Sequence, residues 1–282
     1  MIDIVGEIGS SWVAGFDHKR TALKLIKKIA EAGANTVKIQ LFAGDTLWRK
    51  SDPRHKKTIP LCLPPEWLPD LKARADECGV EFLVTPFHPR DFEVLNAVGV
   101  NRIKISSGDI NYVPLLKEAS LYSMPVLLST GFATMDEIKT AVGHLHSLHN
   151  YLPITLLHCV GGYPTAPRDA NIQRILDLKE LAISLDIKNV GLSSHVNEWY
   201  IDLIAIAYKI SCIEKHIALK GLYRGPEDGH SLSPSEFAKF VMAVRNAESA
   251  MNKPRNTFCD ADMLARKENR RYPSDWLRPG KE

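Results

Sequence analysis

The sequence predicts an α/β protein, a (β/α)8 TIM barrel. Three observations carry that expectation. Eight short apolar runs recur along the 282 residues, and a segment with helical periodicity separates most consecutive runs. The first run is followed by Gly6-Glu7-Ile8-Gly9, not by the GxGxxG turn of a dinucleotide-binding sheet. Parallel strands need long crossovers, and such crossovers are right-handed, so eight successive units close naturally on themselves. An open doubly wound sheet is the alternative.

The expected strands are Ile2 to Val5, Thr36 to Ile39, Phe82 to Thr85, Arg102 to Ile105, Val126 to Leu128, Ile154 to Leu157, Val190 to Leu192 and Ser211 to Glu214. Between the first two, Arg20 to Ala32 carries Ala22, Leu23, Leu25, Ile26, Ile29 and Ala30 on one broad apolar face, the pattern of a helix. Gly33 and Gly79 stand where helices should stop, because glycine adopts the left-handed conformation at little cost. The proline-rich insert Phe42 to Pro65 reads as a loop on the active rim. The last helix ends near Asn252. This divides the chain into a barrel, 1–252, and a polar tail, 253–282, whose basic residues Arg266, Lys267, Arg270 and Arg271 suit a solvated surface or an interface arm.

Composition narrows the function. The 45% hydrophobic and 24% charged fractions are those of a globular chain and exclude disorder and collagen. A formal net charge of +3, with basic residues scattered except near the C-terminus, gives little reason to expect nucleic acid as a partner. No stretch approaches the roughly 20 apolar residues that span a bilayer. The N-terminus starts on a strand-like run and lacks the pattern of a secretory signal, which predicts a cytoplasmic protein without a membrane partner. Five widely spaced cysteines without a CxxC pair argue against a disulfide frame or a structural zinc site.

In such barrels the reacting groups sit at the C-terminal ends of the strands. Polar residues gather at nearly every one of these ends: Glu7; Lys38 and Gln40; Thr85; Lys104, Ser106, Ser107 and Asp109; Ser129 and Thr130; His158 and Tyr163; Ser193, Ser194 and His195; Glu214 and His216. Lys38 and Lys104 each interrupt an apolar strand, where alternation aims them into the mouth. A buried ammonium needs a partner. Either each lysine pairs with a carboxylate such as Glu7 or Glu214, or the two lysines and the hydroxyls of Thr85, Ser106 and Ser107 receive an anion with phosphate-like oxygens. The second reading is the better one.

His195 and His216 end the seventh and eighth strands and so are neighbours. Two converging neutral imidazoles hold a divalent cation with coordination positions to spare; hydrogen-bonded rim histidines are the plainer reading. His158 equally suits packing, and His88, His230 and the His144, His146, His149 group read as solvated or capping. Asp17, Asp109, Glu227 and Asp228 are rim carboxylates suited to substrate hydroxyls or to solvent. Trp12, Trp48 and Trp67 suit packing.

Taken in order, Gly6-Glu7-Ile8-Gly9, Val37-Lys38-Ile39-Gln40, Thr85-Pro86-Phe87, Lys104-Ile105-Ser106-Ser107-Gly108-Asp109, Leu128-Ser129-Thr130-Gly131, Leu157-His158-Cys159, Tyr163-Pro164-Thr165, Gly191-Leu192-Ser193-Ser194-His195 and Glu214-Lys215-His216 resemble the sialic acid synthase family. The resemblance spans roughly residues 3 to 250. It implies a TIM barrel that condenses phosphoenolpyruvate with an N-acetylmannosamine-like aldehyde, giving a nonulosonic acid and phosphate with a divalent metal, manganese or magnesium. It further implies His195 and His216 as metal ligands, and Lys38, Thr85, Lys104, Ser107 and Ser193 as phosphoenolpyruvate contacts. Glu7 would act at the reacting carbons, and Gln40, Asp109, Tyr163 and one of Glu227 and Asp228 would face the sugar.

The chain departs from the family pattern in four places. Gly161 stands where an asparagine is usual, Asp109 where glutamate is usual, and Glu227 at the sugar-binding aspartate. The C-terminal antifreeze-like domain, which supplies an arginine to the partner's sugar site, is expected to be missing, so a homodimer is an open expectation. Two alternatives remain. One is a phosphoenolpyruvate aldol-type synthase for a phosphorylated aldose, with Arg90, Lys220 or Arg224 on the second phosphate; the other is a catalytically silent barrel acting as a binding module.

Overall fold

A computed structural model, described over residues 1–148, 152–220, 225–252, 258–271 and 278, closes eight parallel strands into one barrel in sequence order. The strands are β1 (Asp3–Glu7), β2 (Thr36–Leu41), β3 (Glu81–Pro86), β4 (Ile103–Ile105), β5 (Val126–Ser129), β6 (Ile154–Cys159), β7 (Asn189–Ser194) and β8 (Cys212–His216). Closure comes from β1 against β8, with Asp3 opposite Cys212 and Glu7 opposite His216. His149 and Arg224 lie outside the described residues.

Helices cover the outside: α1 (His18–Glu31), α2 (Gly44–Leu47), α3 (Pro53–Thr58), α4 (Leu68–Glu77), α5 (Asp91–Val98), α6 (Val113–Leu121), α7 (Met135–Leu145), α8 (Arg174–Ser184), α9 (Ile204–Ala207) and α10 (Pro234–Met251). Helix α1 shows why these segments fold as they do. Asp17 caps its start by accepting from the Arg20 N–H, and Ala22, Leu25, Ile26 and Ile29 are buried. Past its end, Gly33 takes φ +85°, as Gly79 takes φ +70° after α4; both expected stops are present.

Alternation divides every strand between two environments. Outward residues such as Ile4, Val37, Ile39, Phe82, Val84, Ile103 and Ile213 join the helices in the main core. Inside the barrel a separate buried cluster of Val5, Leu83, Leu127, Leu157 and Cys212 forms an apolar floor. On the same strands, two residues nearer the C-terminal ends, the inward positions become Glu7, Thr85, Ser129, Cys159 and Glu214. The interior thus changes from hydrocarbon to polar within one layer.

Two segments differ from expectation. The insert read as a loop is largely helical, comprising α2, α3 and a 3-10 turn over Ile59–Leu61. Its prolines start helices: Pro53 sits in the first turn of α3, after Asp52, whose side chain accepts from the Arg54 N–H. Within the tail, Asp260–Asn269 forms a further helix, α11, with no buried residue.

Candidate active site

Two buried ammonium groups and two buried carboxylates alternate across the mouth. Lys38 pairs with Glu7, lies 3.6 Å from Glu214 Oε2, and donates to Thr85 Oγ1 at 3.1 Å. Lys104 pairs with the other oxygen of Glu214 and approaches Ser193 Oγ at 3.3 Å, while Ser193 Oγ donates to Glu214 Oε1 at 2.8 Å. Burial would push Lys38 down, but Glu214 and Glu7 outweigh it and hold it above its ordinary value. Burial would likewise raise Glu214, yet Lys104 and Lys38 hold it well below the usual carboxylate range. The carboxylate pairing expected as one alternative is therefore present. Glu7 Oε1 and Glu214 Oε2 still lack a hydrogen-bond partner.

Lys38, Thr85, Lys104, Ser193 and Glu214 line a cavity of about 50 Å³, together with Gln40, Ser106, Ser107, Ser129, Cys159, Tyr163, His195 and His216. Ser107 Oγ accepts from the Gly131 N–H at 3.1 Å, which ties the β4 and β5 ends together. A wider depression, about 720 Å³, lies at the opposite end around Met1, Ile183 and Met251 and contains none of the expected site residues.

The histidines close the other side. His195 donates from Nδ1 to the Val160 carbonyl at 2.9 Å, and burial beside His216 pushes it down to about 2, so the ring is a neutral imidazole. His216 Nδ1 meets Glu227 Oε2 at 2.8 Å. Their ring centroids are 5.2 Å apart, and the Tyr163 ring lies 4.0 Å from that of His195. In both histidines Nδ1 is engaged and Nε2 is left over, the arrangement of metal-ligating imidazoles with their outer partners. Setting the imidazoles aside, two ammoniums face the three carboxylates Glu7, Glu214 and Glu227. One net negative charge remains, and a divalent cation would reverse it and make the mouth receptive to an anion. The residues fit a divalent metal.

Glu227 is fixed from behind. It accepts from Ser10 N–H and from Ser10 Oγ at 2.7 Å, and Gly9 at φ +52° leaves the room: a Cβ there would stand 2.2 Å from Glu227 Oε1. Asp228 turns away and accepts from the Gly225 N–H at 3.0 Å, stabilising its own loop. Asp109 accepts from Ser106 Oγ and is raised by burial.

The structure brings Lys38, Gln40, Thr85, Lys104, Ser107, Tyr163, Ser193, His195 and His216 to one cavity, with Glu7 and Glu227 directly behind it. Asp109 and Asp228 instead serve neighbouring backbone and side chains. His158 is packed, with Nε2 2.8 Å from the Ala170 carbonyl. His230, expected to be solvated or capping, is 7% exposed with its ring centroid 4.8 Å from that of His216. The cause is a backbone bridge, Ile217 to Leu232, which brings the segment that carries His230 back beside the end of β8. Glu214, expected from the sequence as a strand-end carboxylate able to pair with the lysines, is the centre of the network.

A parallel barrel whose C-terminal mouth holds paired lysines, serines and converging imidazoles is an enzyme scaffold built for an anionic substrate. The NeuB family model matches residues 25–256. The N,N'-diacetyllegionaminic acid synthase of Campylobacter jejuni is 34% identical over 84% of this chain and 75% of its own length. The N-acetylneuraminate-9-phosphate synthase of Drosophila melanogaster is 30% identical over 86% of this chain and 67% of its own. The N-acetylneuraminic acid synthetase of Leptospira borgpetersenii, solved with citrate, superposes with a TM-score of 0.84 at 28% identity, covering 96% of this chain and 93% of that one. The chain spans 66–75% of the length of the curated relatives it matches. It belongs to the NeuB family.

Proposed function

We propose that the chain is a phosphoenolpyruvate-dependent synthase. It joins C3 of phosphoenolpyruvate to the aldehyde carbon of an N-acetylmannosamine-like aminosugar, adds water at C2 and releases phosphate, leaving a nonulosonic acid. The observation that carries this reading is the single cavity onto which Lys38, Lys104, His195 and His216 all open.

Each residue has a task in that reaction. Lys104 and Lys38, with Thr85, Ser107 and Ser193, supply charge and hydroxyl donors for the phosphate and carboxylate oxygens of phosphoenolpyruvate. A manganese or magnesium ion held by His195 and His216 would supply Lewis acidity at the aldehyde oxygen. Glu7, with one oxygen free of hydrogen bonds, takes the proton released as water adds at C2, and that proton leaves with phosphate. Gln40 and Tyr163 stand on the open side, where the sugar would lie, and Glu227 orients His216. This reading keeps the cytoplasmic location and allows the homodimer.

A phosphorylated acceptor would need a further cationic cluster. Among the described residues Arg90 and Lys220 are exposed and do not line the cavity, and Lys220 approaches Glu236 at 3.6 Å. The test is incubation with phosphoenolpyruvate, manganese and a panel of aldoses that includes N-acetylmannosamine. Phosphate release and a product mass equal to aldose plus pyruvate are expected, with loss in EDTA. Absence of release with every acceptor overturns the reading in favour of a binding module.

A further inference from the structure

The loop after β8 carries a feature that this function does not require. His230 is buried in the mouth, yet neither of its ring nitrogens makes a hydrogen bond to another described residue. Its ring centroid lies 4.8 Å from His216 and 6.0 Å from His195, while His195 and His216 are 5.2 Å apart. Three imidazoles therefore form a closed triangle at one point of the barrel rim.

Two of the three spacings are those of ligands on one cation. With a metal–nitrogen distance of about 2.1 Å, a ring centre lies roughly 3.3 Å from the ion, so ligands at right or tetrahedral angles put ring centres about 4.7–5.4 Å apart. Two separations fall in this range, and the third lies just beyond it. The candidate ligand atoms of His216, Glu227 and His230 also all lie within 4.8 Å of one another. Glu227 is already committed to His216 Nδ1 and to Ser10, which leaves His230 as the uncommitted donor. No hydrogen bond to a described residue competes for the His230 ring nitrogens, so the ring is free to ligate.

We propose that His230 is a third metal ligand, so that His195, His216 and His230 form a three-imidazole site selecting a divalent transition ion over magnesium. This inference rests on the two-histidine metal site proposed above and extends it. Nitrogen ligands bind divalent transition ions, cobalt and zinc above manganese, whereas magnesium suits carboxylate and water oxygens.

The experiment is calorimetric titration of the full chain with manganese chloride and with magnesium chloride, without substrate, alongside the visible spectrum of the cobalt-loaded protein. His230→Ala and His230→Gln should each weaken manganese binding by at least about tenfold, narrow the manganese-over-magnesium preference and alter the cobalt bands. Thermal melting without metal, matching wild type in at least one variant, separates ligand loss from misfolding. Wild-type manganese affinity in a folded His230 variant, with loss in His216→Ala, overturns this inference alone. Failure of the wild type to bind any of the three ions overturns it together with the metal in the proposed function.

Discussion

Glu214 and Lys215 are consecutive on β8, and each anchors a buried lysine–carboxylate network on an opposite face of the barrel wall. Inside, Glu214 joins Lys38 and Lys104, and acceptor oxygens on Glu7 and Glu214 stay without hydrogen bonds. Outside, Lys215 spends its donors on Asp202 Oδ2 at 2.6 Å, Ser194 Oγ at 3.2 Å and the Val196 carbonyl, while Ser194 Oγ donates to Asp202 Oδ1 at 2.6 Å. The electrostatics also run in opposite directions. Inside, partners outweigh burial, and both Lys38 and Glu214 favour their charged forms. Outside, burial wins: Asp202 is raised and Lys215 lowered despite their attraction. The saturated network is support, whereas the one with spare capacity is where a ligand completes the bonding.

The largest expected effect is on the outer network and on stability. Lys215→Met leaves a buried Asp202 without its cation and should cost about 3–5 kcal/mol in urea unfolding. Adding Asp202→Leu should restore most of that loss, because a packed apolar pair no longer pays for desolvation. A double variant as unstable as the single would mean that the ion pair itself is needed. The inner network should respond in the other currency. Lys104→Ala should lower kcat/KM by about 10²–10³, or about 2.7–4 kcal/mol of transition-state binding, with little change in melting temperature, since Glu214 keeps Lys38 and Ser193 nearby. Unchanged phosphoenolpyruvate binding in this variant would remove Lys104 from the site.

A smaller change tests how the mouth is held from behind. Gly9→Ala places a Cβ against Glu227 at a φ that L-residues resist. The expected cost is about 1–3 kcal/mol of stability, together with manganese binding weakened about 10–100-fold because Glu227 can no longer orient His216. Titration calorimetry on the folded variant measures the second effect, and wild-type affinity there would show that the carboxylate has no such role.

The two faces also differ in how much of them was legible in the sequence. The outer face announced itself, because apolar residues on alternate positions are what helices pack against, and all eight strands lie where the runs placed them. Most strands extend further toward their C-terminal ends, as at Glu7, Gln40, Ser129, Cys159, Ser194 and His216, because polar residues at the mouth break the apolar pattern without ending the strand. Lys38, Lys104, His195 and His216 were visible as polar intrusions at strand ends. Their partners were harder to assign, since pairing depends on which strands become neighbours on closure. His230 was not legible: its place in the mouth depends on the distant return of a loop through the Ile217 to Leu232 bridge, and no local pattern encodes that.

The remaining buried base of the outer face gives the smallest and most specific test. His158 points away from the cavity, and Nε2 donates to the Ala170 carbonyl while Nδ1 has no partner. Burial lowers its pKa from 6.5, aided by nearby Arg174 and only partly opposed by the Ala170 carbonyl. Below pH 6.5 the unfolded chain therefore binds a proton that the native ring refuses, and stability falls as pH drops, by up to about 1.4 kcal/mol per pH unit from this group. His158→Gln keeps a donor for Ala170 but has no titrating ring, so its unfolding free energy should decline less steeply than wild type between pH 6.5 and 5. Equal slopes would show that His158 takes up its proton in the folded state. The outer layer would then tolerate an unpaired charge, contrary to the distinction drawn between the two faces.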